Sequence, residues 1–390
     1  MRITVAGALT WIVAAGAVGS LYAPTLTGLG AALTTPVLAG AIAAGLIGLA
    51  GAQVLGGAAD FRPTILGGAR RVSVGLLALA VAAFALSGAV GAFTRGLTVN
   101  DWGLLALQAG TPVLLTLSGR RAELLRALGA VCIVFATVDM AANLAAFAHL
   151  IELPAYSGRL TSEGVRLRYP GLSGNSLASG LVAFTAVAFL ASGVDGRMRG
   201  ALIARIALIG ALLVSLSLID ARRYLVLAAL AVPLLGYRPA WRIPPALVAV
   251  AVGAAGLVAA FMETSDLRAR LVLAGAARAL AHPLLGAGPT WRDPAALQPI
   301  YRNLHGAGVT ESGLLDLSIA YGVPAAALLV GAALAALGAR RSRQSLPAVI
   351  LALLTAELAF GDSLNGFLGA LLFFSALVFC QRDEPALQDP

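Results

Sequence analysis

Two arginines stand side by side in SLSLIDARRYLVLAAL, residues 215–230, between two long apolar runs. Arg222 and Arg223, with Asp220 just before them, fall in a loop so short that their charges sit at the mouth of a membrane helix. Charge at that depth is costly and usually has a function. A second cluster lies in RLRYPGLSGNSLASG, residues 166–180. Here Arg166 and Arg168 precede Pro170, Gly171 and Gly174, which end a loop and start a helix, and Ser173 or Asn175 is placed to cap it. A helix start offers free N–H groups and a positive dipole end, a combination that favours phosphate. Arginine adds a permanent charge and a two-pronged grip on phosphate oxygens. A third group lies in and beyond DLRARLVLAGAARALAHPLLGAG, residues 266–288: Arg270, then Trp291, Tyr301, His305, Glu311 and Asp316. Histidine or glutamate can take a proton from an acceptor hydroxyl. Together the set suits transfer from a phosphate-bearing donor to a hydroxyl. Arg168, Arg222 and Arg223 are the candidates for the phosphate, with Arg270 and Arg166 behind them; Glu311 or His305 is the candidate base; Asn175 and Tyr301 are placed to position substrate. The chain has no Asp-x-Asp pair and no histidine–carboxylate cluster for a divalent metal, so arginines would neutralise the charge that a metal neutralises elsewhere. No metal or cofactor is expected. Each residue also has a plainer role open to it: arginines snorkel to lipid headgroups, Trp291 and Tyr301 anchor at the interface, and His282 ends a helix.

Such residues must be held by helices that cross a membrane. Of 390 residues, 59% are hydrophobic and 12% charged, against roughly 25% charged in a soluble domain. Apolar runs of about 20 residues, the length that crosses a bilayer, fall near 4–22, 33–56, 72–93, 102–118, 124–148, 171–193, 201–219, 222–237, 244–262, 310–337, 346–360 and 364–380. The expected fold is therefore all-α: one polytopic membrane bundle over residues 1–390 with about twelve transmembrane helices. The short alternating segments of a β-barrel are missing. The opening MRITVAGALTWIVAAGAVGSLYA resembles a signal peptide but is long enough to span, and reads as an uncleaved first helix. Cys132 and Cys380 fall inside separate spans, which argues against a disulfide or a metal site. The net charge is +9, and all 27 basic residues are arginine. In a membrane protein this points to lipid or phosphate partners, and no stripe of basic and aromatic residues marks a nucleic-acid site.

Arginine distribution orients the bundle. With both termini in the cytoplasm, most of the arginines collect on short inside loops, as expected for cytoplasmic loops. Those left outside are grouped, with Arg95 alone standing apart: Arg159, Arg166 and Arg168 in one loop, Arg222 and Arg223 in the next, and Arg268, Arg270, Arg278, Arg292 and Arg302 in a third. Two outside loops are long, near 150–170 and 263–309. The second is expected to contain an amphipathic helix over 267–281 that lies on the membrane surface.

Four segments resemble one family. RYPGLSGNSLA at 168–178 is similar to an Arg, Gly, Asn-x-x-Ala pattern; SLSLIDARR at 215–223 to a serine-rich helix end with arginine; RLVLAGAARALAHPLLGAG at 270–288 to an amphipathic helix closing in Pro-x-x-Gly-x-Gly; and ESGLLDLSIAYGVPA at 311–325 to a helix start followed by a glycine. Their order and outside location resemble the O-antigen polymerase and O-antigen ligase superfamily of bacterial inner-membrane proteins. The resemblance covers roughly the second half of the chain. It implies a multi-pass protein of the inner membrane with a large periplasmic loop late in the chain, metal-independent glycosyl transfer at the periplasmic face, and undecaprenyl-diphosphate-linked oligosaccharide as donor and acceptor. A chain-length regulator is a further partner that it implies. Aligned from Gly322, the family's histidine falls on Glu311, with His305 upstream. Ligases are associated with that histidine, so the departure favours polymerase over a ligase that transfers the glycan to lipid A core or another acceptor. A transporter is a different class. GAADFRP at 57–63 is weakly similar to a transporter loop, but the sequence shows neither the repeated halves nor the intramembrane charge pairs of that class.

Overall fold

A computed structural model describes residues 5–26, 31–55, 68–96, 99–118, 120–151, 156–161, 164–168, 171–193, 202–219, 221–236, 251, 267–288, 312–339, 345–361 and 363–381. The described residues are helical almost throughout. In order come α1 (Val5–Leu26), α2 (Ala31–Leu55), α3 (Gly68–Arg95), α4 (Val99–Leu105), a π-helical turn (Ala106–Gly110), α5 (Thr111–Ser118), α6 (Arg121–Phe147), strands β1 (Tyr156–Thr161) and β2 (Gly164–Arg168), α7 (Ser176–Ser192), α8 (Leu202–Leu218) and α9 (Arg222–Gly236). Then follow α10 (Leu267–Ala281), α11 (Gly313–Tyr321), α12 (Val323–Ala339), α13 (Ser345–Glu357), a short 3₁₀ turn (Ser363–Asn365) and α14 (Phe367–Gln381). Among the described residues, four helical segments are long and apolar enough to cross a membrane: Val5–Ala23, Val37–Val54, Arg71–Phe93 and Arg121–Phe147. Five shorter apolar helices accompany them. The run expected near 244–262 lies outside the described residues apart from 251.

The chain folds as two compact units, each discontinuous in sequence. Unit 1 comprises Met1–Asp60, Leu117–Arg242 and Pro385–Pro390; unit 2 comprises Phe61–Thr116 and Ile243–Glu384.

Unit 1 is built around α7. From Ser179 to Ala191 this helix is buried on every side, which suits a segment apolar all round. Small residues set the spacing of its neighbours. A side chain at Gly129 of α6 would strike the Phe189 ring of α7, and one at Gly180 of α7 would strike Tyr224 and Ala221 at the start of α9. Likewise Gly16, Gly45 and Gly48 let α1 and α2 approach over Ile42, Val13 and Leu9. Close approach at small residues is the usual device where lipid removes the hydrophobic drive between helices. Between α6 and α7 the chain departs from the all-helical expectation. β1 and β2 form an antiparallel hairpin with Arg159 directly opposite Arg166 and Tyr156 opposite Arg168.

Unit 2 packs α3 on α12 and surrounds α14, which is buried from Leu368 to Gln381. Ser73 of α3 donates to the Gly331 carbonyl of α12 at 2.7 Å and accepts from the Gln381 side-chain amide of α14 at 2.9 Å, so three apolar helices share one polar tie. Two expected spans are interrupted. The run 102–118 contains the π-helical turn, in which Thr111 N–H reaches the Ala106 carbonyl. Pro112 follows at once; it has no N–H to give and its ring crowds the carbonyl four residues back, so the widened turn accommodates it. The run 310–337, expected as one helix, breaks at Gly322, where φ is 68° and ψ is −144°.

Candidate functional site

The arginine side of the expected site falls within unit 1. The β hairpin carries Arg159, Arg166 and Arg168, and its second strand leads towards the turn at 171–174 that starts α7. Asn175 caps α7: its side-chain oxygen accepts from Leu177 N–H at 2.9 Å. That oxygen is therefore committed to the helix start, and Asn175 itself is exposed. Ser173 closes the turn, donating to the Asn175 carbonyl at 2.8 Å and accepting from the Asn175 N–H at 3.0 Å. Arg222 and Arg223 begin α9 immediately after a tight turn, in which Ala221 N–H reaches the Leu216 carbonyl at 3.1 Å. Arg222 is exposed and Arg223 half-buried. Arg223 lies over the ring of Tyr224, 5.1 Å from its centroid, and Tyr224 packs on Gly180, so the start of α9 is keyed to the first turns of α7.

No protein-family model and no curated protein matches the chain.

Glu311, His305 and Tyr301 lie outside the described residues, and Arg270 belongs to α10 in unit 2. What unit 2 does describe is the frame that flanks them. The Pro-x-x-Gly-x-Gly end of α10 is locked into the α11–α12 break. Ala287 N–H donates to the Ile319 carbonyl at 2.7 Å, Gly288 N–H to Ala320 at 2.9 Å, and Val323 N–H back to Pro283 at 2.8 Å. A side chain at Gly286 would strike the Ala320 carbonyl, and one at Gly322 would strike that of Pro283. Both glycines have positive φ, 69° and 68°, so backbone lies on backbone where only glycine fits without strain. Ser87 of α3 closes the joint from the side, donating towards the carbonyls of Leu285 at 2.9 Å and Ala320 at 3.1 Å. At the other end of α11, Ser312 caps the helix, and Leu314 N–H donates to the Leu358 carbonyl at 2.8 Å. Glu357, fully buried, accepts from Ser363 N–H at 3.3 Å and holds that turn.

The sequence reading passed over a buried polar group in unit 1. Asp139 of α6 is 4% exposed. Its carboxylate accepts from Leu172 N–H at 2.6 Å, and Gly171 sits so close that a side chain there would strike it. The hydroxyls of Ser179 and Tyr22 stand beside the same carboxylate. One turn further along α6, Asn143 is 1% exposed with both amide atoms unpaired. The signal was available in the sequence: one aspartate and one asparagine, four apart, inside the long apolar run that became α6.

Proposed function

We propose that the chain is an inner-membrane glycosyltransferase that polymerises undecaprenyl-diphosphate-linked oligosaccharide repeats at the periplasmic face. What supports this reading is that residues 159–168 and 222–223 fall in the same compact unit, and that the first turns of α7 pack against the start of α9, where Arg222 and Arg223 lie. Arginines at a helix start suit an anion, and diphosphate is the anion that the family resemblance supplies. The glycine-locked joint of unit 2 lends support, because two of the resembling segments, 270–288 and 311–325, meet there.

In the reaction the acceptor hydroxyl, on the terminal sugar of a second lipid-linked repeat, attacks the anomeric carbon of the donor. The new glycosidic bond forms as the bond from that carbon to the diphosphate oxygen breaks. Undecaprenyl diphosphate leaves with the electron pair. Arg168, Arg222 and Arg223 stabilise the charge that develops on the leaving oxygens, with Arg166 and Arg270 in support. Glu311 or His305 accepts the hydroxyl proton. Both termini are cytoplasmic in this reading, the 263–309 loop is periplasmic, and α10 lies along the membrane surface with Leu273 and Leu280, exposed and two turns apart, towards lipid.

Turnover in vitro with lipid-linked repeat units tests the proposal. Arg168→Ala and the Arg222→Ala/Arg223→Ala pair are expected to abolish polymer while the protein still inserts. Arg→Lys at the same positions is expected to rescue poorly, because lysine lacks the two-pronged fork. Normal polymer from both alanine variants reduces the arginines to lipid anchors and removes the reading. A single transfer to lipid A core, with no polymer, converts it to the ligase alternative.

A further inference from the structure

A carboxylate buried in a membrane helix needs a compensating positive charge or a proton. Asp139 has no basic partner among the described residues. Its immediate surroundings are oxygen-rich instead: the hydroxyls of Tyr22 and Ser179 stand beside it, and Ser173 meets Ser179 at 2.8 Å, oxygen to oxygen. Asn143 lies one turn away on α6. Asn143 is 1% exposed and its whole amide makes no hydrogen bond, and Tyr22 is as deeply buried. The elements that supply these groups, α1, α6, the non-helical turn leading into α7 and α7 itself, all belong to unit 1. Irregular backbone beside membrane helices persists where it is buried in protein or lines a site, and this turn is fixed by its Leu172 N–H bond to Asp139.

We infer that Asp139, Tyr22, Ser179, Ser173 and Asn143 form a binding site for a monovalent metal cation of the sodium class. Hard cations take oxygen ligands, and sites for sodium in membrane proteins combine side-chain oxygens with unwound backbone near helix ends. The charge count selects the valence. One carboxylate and one monovalent ion leave a neutral site, whereas a divalent ion leaves a net charge buried among apolar helices. The oxygen count selects the cation over a proton. A protonated carboxyl donates a single hydrogen bond, whereas an ion draws on several lone pairs at once, including those of the Tyr22 hydroxyl and the Asn143 carbonyl. The ion is separate from the proposed glycosyl transfer and takes no part in its bond changes.

The test uses the purified full-length chain in lipid nanodiscs and sodium itself as the probe. Thermal unfolding is followed as sodium chloride replaces choline chloride at constant ionic strength. The melting temperature is expected to rise saturably, by about 2–5 °C at saturation, as for any ligand that binds only the folded state. Asp139→Asn keeps the shape of the side chain and is expected to lose the response. Should that variant fail to fold, Asn143→Ala and Tyr22→Phe are expected to shift the sodium dependence to about tenfold higher concentration, and binding of radioactive sodium to the unaltered chain gives a direct reading. A response to potassium in place of sodium supports the same class with a larger site. Identical melting in sodium, potassium and choline overturns the inference. So does a sodium response that survives in Asp139→Asn, or a response confined to magnesium or calcium.

Discussion

In the proposed reaction Glu311 and His305 are rival candidates for one task, the acceptance of a proton. Glu311 falls where the resembling family has histidine, one residue before the Ser312 cap of α11. Carboxylate and imidazole can each take a proton from a hydroxyl. Glu311→Gln is expected to cost about 10²–10⁴-fold in turnover, the range for a lost general base, and His305→Ala to cost less; single-turnover assays with lipid-linked donor measure both. A dead His305→Ala beside a near-normal Glu311→Gln assigns the role to the histidine. Glycine gives a second contrast at this scale. Gly322→Ala forces a side chain into the Pro283 carbonyl at positive φ, where strain alone costs about 1–3 kcal/mol. Gly75→Ala, in a helix with open space around it, is expected to stabilise by about 0.5–1 kcal/mol. Melting of the two variants should move in opposite directions. The residues legible in the sequence were those whose type breaks a local rule, such as arginines at a helix mouth. Asp139 and Asn143 broke a rule as well, yet drew no attention because no partner stood near them in sequence; Leu172, which donates to Asp139, is 33 positions away.

A long apolar run favours a helix, and four described segments, Val5–Ala23, Val37–Val54, Arg71–Phe93 and Arg121–Phe147, are also long and apolar enough to cross a membrane. Described helices cover the runs expected near 4–22, 33–56, 72–93, 124–148, 201–219 and 222–237 with small shifts at the ends. The interruptions were harder to read. Gly322 and Pro112 each sit in a run as apolar as its neighbours, and hydropathy does not register a missing N–H or a positive φ. The break at Gly322 depends on Pro283 and Gly286, some 40 positions earlier, so no local window contains its cause. The β hairpin was missed for another reason: its strands are short and polar, and were read as loop. The π-helical turn yields a prediction at this scale. It places Gln108 where the Tyr321 hydroxyl donates to its side-chain carbonyl at 2.7 Å, in the buried interior of unit 2. Tyr321 also stacks on Phe84, with ring centroids 4.0 Å apart. Tyr321→Phe preserves the stacking and removes the bond, at an expected cost of about 1–3 kcal/mol. Adding Gln108→Leu should recover part of that loss, because it removes the buried group left short of a partner. A double-mutant cycle read by chemical denaturation checks the coupling.

For the whole molecule, orientation in the membrane is the claim on which the glycosyl-transfer reading depends. On the arginine counts, both termini are expected in the cytoplasm and residues 263–309 outside. A reporter fused near Trp291 is expected to behave as exported, and one fused at either terminus as cytoplasmic. Cytoplasmic activity near Trp291 would put Arg222 and Arg223 on the wrong side for a periplasmic donor. The division into two units was not visible in the sequence. Each unit draws on separated stretches of chain, and apolar runs carry no record of which neighbour they will choose.

The three backbone bonds between the end of α10 and the α11–α12 break act as a clasp. They join residues 283–288 to residues 319–323, and the sequence between them includes Trp291, Tyr301, His305 and Glu311. The entropy of closing such a loop grows only with the logarithm of its length, about 0.6 kcal/mol for each doubling. Its composition can therefore drift, and its length change, while the clasp and the helices behind it stay as they are. A chain built this way is a scaffold with a replaceable cartridge: the segment between Gly288 and Ser312 can be exchanged without redesigning the helices that hold its two ends.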